Sequence, residues 1–292
     1  MQLIAQIVVL ASLYALLAAG FVVVYRSSKV LNLAYGEFMM IGGYLVVMAG
    51  LYIAPGNPLV VIAISFVGAI IIALLIYYVI MRRLIGQPIV IPILVTIGLS
   101  ILLQGIITAI FGSQLQYLDR ILGISNPPHN LPFGVVLSTF DILTITVAGA
   151  FLLALFIFYR FTNLGIQMRA AAENPSLAAK RRINIFRLFA ISWVIAMIGA
   201  VASGILWGGS KPLYPEMGIK IALQAFPAAM VGGMDSLFGV IPGSLIIASS
   251  VILCMIFISP LASQAVPMII LLLVLLIRPW GIFGRAEEIE RV

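Results

Sequence analysis

Charge is what this sequence has least of. Only 9% of its 292 residues are Asp, Glu, Lys or Arg, while 63% are hydrophobic. Soluble domains carry about 25% charged residues, so a water-soluble fold is excluded and an integral membrane protein is expected. The single cysteine, Cys254, sits in an apolar run. It excludes a disulfide within the chain and any cysteine metal cluster, and reads as a small buried apolar residue. The single histidine, His129, lies beside two prolines in a polar loop, and a metal site needs several ligands at fixed spacing. The sequence has no G-x-x-x-x-G-K-[ST], no H-E-x-x-H and no G-x-S-x-G. It therefore has no nucleotide-binding loop of its own, and an enzyme reading has no residues to rest on. There is no arginine ladder of the voltage-sensor type. No basic residue precedes Arg26, so the opening stretch lacks the charged start of a cleaved signal peptide and is expected to be the first span.

What is present is a series of apolar segments, with room for roughly eight to ten spans of about 20 residues each. The expected fold is all-α and polytopic: one transmembrane domain over 1–292, with about eight or nine crossings, some discontinuous. Full spans are expected over 3–25, 30–53, 59–80, 89–111, 139–159, 188–207, 238–258 and 261–277. Segment 218–231 is short for a crossing and holds Pro227, so a broken or re-entrant helix is expected there. A polar loop covers 112–138, and turns carry Pro55-Gly56-Asn57-Pro58 and Gly232-Gly233.

The basic residues set the orientation. If the N-terminus is outside and each segment crosses once, 13 of the 16 fall on the cytoplasmic side, Arg285 and Arg291 among them. Arg120, Lys211 and Lys220 fall outside. The net charge of +7 therefore marks a membrane face and not nucleic acid. The richest basic stretch is 160–187, with six Lys or Arg against one acid, Glu173. Such a stretch cannot sit in hydrocarbon. Within it, Asn174-Pro175 is a helix start, Asn capping and Pro at the first position. A short helix over 176–182 is expected, with Leu177 available to pack and the cations in its last turn. Held at the inner face by two spans, it is a docking element.

Polar residues inside the spans have two readings each. Glu37 is the one acid placed well inside an apolar segment; it either ties backbone where Asn32 and Gly36 loosen the helix, or contacts cargo or a coupling ion. Thr96, Ser100, Gln104 and Thr108 recur every fourth residue, on one helical face. They either bond span to span or form the wall of a polar conduit. Gln224 is the matching candidate across the path. Asp119, Asp141 and Glu216 are charges of a solvated outer face, and Trp193, Trp207 and Trp280 fall near span ends. Segments 2 (30–53) and 7 (218–231) are both interrupted by Gly or Pro and run in opposite directions, a pointer to a substrate path.

Four stretches resemble a known family, the Liv-type permease subunits of ATP-binding-cassette importers for branched-chain and related amino acids. Val24-Tyr25-Arg26, Leu31-Asn32-Leu33-Ala34-Tyr35-Gly36-Glu37-Phe38 and Gly42-Gly43-Tyr44 are similar to its first block. Leu94 to Ser100 with Leu103-Gln104-Gly105 is similar to its span-4 block. Arg169-Ala170, Asn174-Pro175, Ala178-Ala179 and Ile183-Asn184 resemble its cytoplasmic coupling segment. Ala225-Phe226, Gly232-Gly233, Gly239, Pro242-Gly243 and 278–284 fit its C-terminal pattern. One departure is Lys180-Arg181-Arg182, where the family reads a small or apolar run into Gly.

The resemblance implies a type II-like importer permease in a bacterial inner membrane, without a cofactor of its own. ATP would be bound by two cytoplasmic ATPase subunits, and cargo brought by a periplasmic substrate-binding protein. A second permease, similar or identical, would complete the path, with membrane lipid around it. Arg169, Glu173, Asn174, Pro175, Leu177, Lys180 and Arg181 would couple to the ATPase. Asn32, Glu37, Thr96, Ser100, Gln104 and Gln224 would line the path. Two other classes remain open at this point: an ion-coupled carrier working alone, and a passive amide or urea channel.

Overall fold

The computed structural model describes residues 1–88, 90–173 and 175–284. The chain runs through α1 (Gln2–Ser28), α2 (Tyr35–Met48) with a π turn (Ala49–Ile53), and α3 (Pro58–Ile76), which continues through a second π turn (Tyr77–Met81) and Arg82–Leu84. There follow α4 (Val90–Phe111), a short α5 (Leu118–Leu122), a hairpin of β1 (Pro128–Leu131) and β2 (Val135–Ser138), and α6 (Thr139–Phe161). The rest is α7 (Asn163–Glu173), α8 (Pro175–Lys180), α9 (Ile185–Ser210), α10 (Met217–Gly232), α11 (Val240–Phe257), α12 (Pro260–Ser263) and α13 (Val266–Ile277). Among the described residues seven helices are long and apolar enough to cross a membrane, and α10 and α13 are shorter apolar helices. The chain is a multi-pass membrane protein.

Local chemistry sets the starts. Asn57 accepts from the Val60 N–H ahead of Pro58 at the first position of α3. Ser138 and Asp141 form a reciprocal capping box on α6. Asn184 accepts from the Arg187 N–H to open α9. The core lies around α1 and α9, whose apolar windows are 72% and 78% buried, against 28% for α3 and 22% for α6. The peripheral helices turn apolar side chains such as Ile71, Leu102 and Leu153 outward, as spans facing lipid do.

Contacts sort the loops to two ends. One end holds Gln2, whose side-chain amide pairs with both the N–H and the C=O of Val136, together with Ile121 against Gly50 and the bridge from Gln116 to Leu213. The other holds Lys29 paired with Asp235 at 3.0 Å, Arg26 over the Tyr159 ring, and Arg82 over the Phe186 ring. There the tail folds back on α10: the Ile282 and Phe283 N–H groups donate to the Val231 and Gly232 carbonyls at 2.9 and 3.1 Å.

Four features differ from expectation. The full span expected over 261–277 is two pieces, α12 and the 12-residue α13, which is shorter than a crossing. Residues 29–34 are not helical, so α2 begins at Tyr35 and not near Val30. Lys29 takes a left-handed conformation (φ 54°) and Asn32 Oδ1 accepts from the Ala34 N–H, an alternative that draws backbone out of the helix. The 112–138 loop contains α5 and the hairpin. Segment 7 is one unbroken helix that carries Pro227 within it.

Candidate functional site

The middle of the bundle is a crossing of two helix starts. A Cβ on Gly36 would collide with the Gly218 carbonyl oxygen, and one on Gly218 with Glu37 Oε2. Only glycine permits this approach of backbones. From that point α2 and α10 diverge: Gly43 lies against Leu213 at one end, and Gly232 against Gly239 at the other. The crossing is deep. The Tyr35 hydroxyl donates to the Ala196 carbonyl at 2.8 Å, and Gly204 abuts Met39, both in the middle turns of α9.

Polar side chains gather around it. Glu37, 1% exposed, accepts from Ser100 Oγ at 3.1 Å through Oε1. Its carboxylate faces the Ile219 N–H in the first turn of α10, while Oε2 makes no hydrogen bond of good geometry. Thr96 Oγ1 accepts from the Leu33 N–H at 3.3 Å and so ties α4 to the non-helical stretch. Asn32 is 2% exposed and its Nδ2 has no partner among the described residues. Four of the six expected path residues thus share one neighbourhood. The other two do not join it: Gln224 accepts from the Tyr14 hydroxyl at 2.9 Å, and the half-buried Gln104 uses only its carbonyl, as acceptor for Thr108. Beside the crossing, Glu216 ends the preceding loop and Lys220 lies in the first turn of α10. The two pair at 3.3 Å, and the ammonium also lies over the Tyr214 ring.

The basic stretch folds as a helix pair. Thr162 Oγ1 accepts from the Gly165 N–H at 3.0 Å, and Gly165 lets α7 turn back closely on Phe158 at the end of α6. Met168, Ala171 and Ala178 are buried and anchor the pair; α7 packs on α1 and α9, and α8 on α9. Arg169 is half-buried with Nε lacking a partner, while Glu173, Leu177, Lys180 and Arg181 are exposed. Asn174, expected as the cap, lies outside the described residues, as do Arg285 and Arg291. α8 stops at Lys180, two residues short of expectation. Arg182 adopts a left-handed conformation (φ 61°), and the Arg182 and Ile183 N–H groups donate to the Ala179 and Ala178 carbonyls. This closes the helix by the arrangement that normally ends in glycine. Sequence reasoning missed α7, and it missed Gly218 as partner of Gly36; the signal for the second was a glycine directly after the short segment's start.

A family model described as branched-chain amino acid transport system / permease component matches residues 3–275. The chain is 32% identical to the high-affinity branched-chain amino acid transport system permease protein LivH of Escherichia coli K12, over 98% of this chain and 95% of the relative. It is 32% identical to BraD, a protein of the same description from Pseudomonas aeruginosa, over 96% and 94%. A probable branched-chain amino acid transport permease protein of Methanocaldococcus jannaschii is 27% identical over 95% and 90%. In fold it resembles the solved structure of PsaBC from Streptococcus pneumoniae in complex with Fab, with a TM-score of 0.50, 16% identity, and 96% and 93% of the chains covered. Helices, glycine crossing and helix pair thus come together in a chain that belongs to the family of branched-chain amino acid transport system permease components.

Proposed function

We propose that this chain is the permease subunit of an ATP-driven importer that moves branched-chain or related amino acids, or small amides, across a bacterial inner membrane. The observation that carries this reading is the α7–α8 pair, anchored on α1 and α9 and exposing Leu177, Lys180 and Arg181 at the more basic end. Two separate ATPase subunits hydrolyse ATP and receive α8; Arg169, Glu173, Asn174 and Pro175 belong to the same coupling surface. A second permease completes the path, and a periplasmic binding protein delivers cargo to the opposite face. The basic end is cytoplasmic, which puts the N-terminus outside and the C-terminus inside. Asn32, Glu37, Thr96 and Ser100 form the polar lining at the crossing, with Gln104 and Gln224 further along α4 and α10. Buried anchors make α7–α8 a lever: Ala178 ties α8 to α9, and Met168 and Ala171 tie α7 to α1 and α9, so a push on the pair is carried into the bundle.

A second reading, an ion-coupled carrier, draws on Glu37 Oε2, a buried oxygen without a hydrogen bond. The two separate cleanly by experiment. The complex is purified in mild detergent from its native membrane, its subunits identified and its ATP hydrolysis assayed. P-loop ATPase subunits and a second permease, with turnover stimulated by a loaded binding protein, are expected. A lone chain, active in liposomes without ATP, would overturn the importer reading and leave Glu37 as the centre of a carrier.

A further inference from the structure

Glu216 and Lys220 form a charged pair used by neither the helix-pair surface nor the Glu37–Ser100 contact. On a soluble domain an i, i+4 pair of this kind is an ordinary solvated feature. Its depth sets it apart here. α10 opens beside Gly36, level with the middle turns of α9, and its next turns meet α1 at Tyr14 and Phe21. The pair therefore lies at mid-depth of the bundle and not at the outer face expected for Glu216 and Lys220, because α10 starts there and not at the membrane surface, yet the two side chains are 64% and 58% exposed. Charges uncovered at depth in a membrane helix face water or a polar cavity and not lipid. Two further features converge on the spot. The first N–H groups of α10 have no acceptor within the helix, and Glu37 Oε2, fully buried and without a hydrogen bond, is aimed at the same terminus.

We propose that Glu216 and Lys220 form a station for a zwitterion in the transport path, taking amino-acid cargo by its α-ammonium and α-carboxylate. The proposal rests on the importer reading and deepens it. With no cargo present, the two charges neutralise each other at 3.3 Å. When cargo arrives, Lys220 exchanges Glu216 for the cargo carboxylate, and Glu216 exchanges Lys220 for the cargo ammonium. Charge stays balanced at each stage, so neither state leaves an isolated ion at depth. Ile219 and Leu223, 45% and 51% exposed, share this helical face and offer the cargo's aliphatic side chain an apolar neighbour. Because an existing ion pair must open for cargo to enter, the station is weak, as a conduit requires.

The test uses the whole importer with its binding protein in liposomes. Lys220→Gln and Glu216→Gln are each expected to lower ATP-driven leucine uptake by roughly tenfold, the scale of one lost charge-assisted contact. In a Cys254→Ala background that keeps Glu216 and Lys220, Leu223→Cys on the same helical face is expected to react with a water-soluble, membrane-impermeant thiol reagent, and leucine, delivered by the binding protein or added free at high concentration, is expected to slow that reaction. Uptake unchanged in both charge variants would overturn the station. So would a thiol that the impermeant reagent does not reach, or one that leucine does not protect. Absence of ATP-driven uptake by the unsubstituted complex would instead sink the importer reading, and leucine protection of the thiol would still decide the station by itself.

Discussion

At the α2–α10 crossing two backbones touch with no side chain between them, and the nearest polar group is a buried carboxylate. At the α7–α8 pair the contacts are ordinary apolar anchors, and charged side chains crowd the surface. The first region has no room for any added atom. The second presents Glu173, Leu177, Lys180 and Arg181 at its exposed surface. In the proposed importer the contrast separates two demands on one chain: a part that transmits displacement would have to be incompressible, and a part received by the proposed ATPase would have to present recognisable chemistry. Glycine supplies the first by bringing helices to backbone distance, and Lys and Arg supply the second.

A side chain placed at the crossing should break this contrast most severely. Gly36→Val or Gly218→Val is expected to destabilise the protein by about 3 kcal/mol, the upper range for overpacking, read as a fall in the melting midpoint in detergent. Gly98→Ala on α4, where a Cβ would meet nothing, is the control, with a gain of up to about 1 kcal/mol from helix propensity. Equal melting of all three variants would show that the crossing is not tight.

The carboxylate comes next. Glu37→Ala removes the acceptor of Ser100 and is expected to cost about 2 kcal/mol, while Ser100→Ala costs about 1 kcal/mol. The double variant should cost less than the sum, because both single changes break the same bond. Strict additivity in chemical denaturation would mean that the Ser100–Glu37 bond contributes nothing.

At the helix pair the sign should reverse. Arg182→Gly relieves a left-handed conformation that costs a branched-off side chain about 1 kcal/mol, so the midpoint should rise. The same substitution removes a cation from the proposed ATPase surface, and retention of ATPase subunits at moderate salt should fall. A variant that is less stable and binds the ATPase normally would contradict both halves. The smallest effect is expected at the far end, where Gln2→Ala removes the two-point clamp on Val136. Stability should change by less than about 1 kcal/mol, with hydrogen exchange at the Val136 amide clearly faster.

Much of this architecture was legible in the sequence. Apolar runs between charged turns gave the long helices, because hydrocarbon excludes ionised groups whatever the fold. The start of α8 at Pro175 was also legible, since proline at a first helical position has a local cause. The departures had causes outside local sequence. The stretch 29–34 has apolar Val30, Leu31, Leu33 and Ala34 that continue into a span, yet Lys29, Asn32 and the Thr96 hydroxyl hold it open, and one of those partners comes from a distant helix. Thr96 and Ser100, expected on one face, bond to Leu33 and Glu37, whereas the Gln104 side chain makes no hydrogen bond among the described residues. The hairpin after Asn126 was missed because four-residue strands with every β1 residue exposed carry no alternation to read. Arg182 stands where glycine is usual, so the cue for the helix end was absent although the end itself was not.

The strap formed by residues 281–284 has a consequence for how the protein is made. The carbonyls of Val231 and Gly232 at the end of α10 are satisfied by N–H groups of Ile282 and Phe283, and close backbone approaches at Gly233, Gly281 and Gly284 hold the strap in place. During synthesis α10 leaves the ribosome well before its strap, with α11, α12 and α13 still to follow. Until then this short central helix has an open end. The helix that meets α2 at the crossing is therefore secured only when nearly the whole chain has been inserted, and a chain interrupted after α11 would carry every part of the crossing without its fastening.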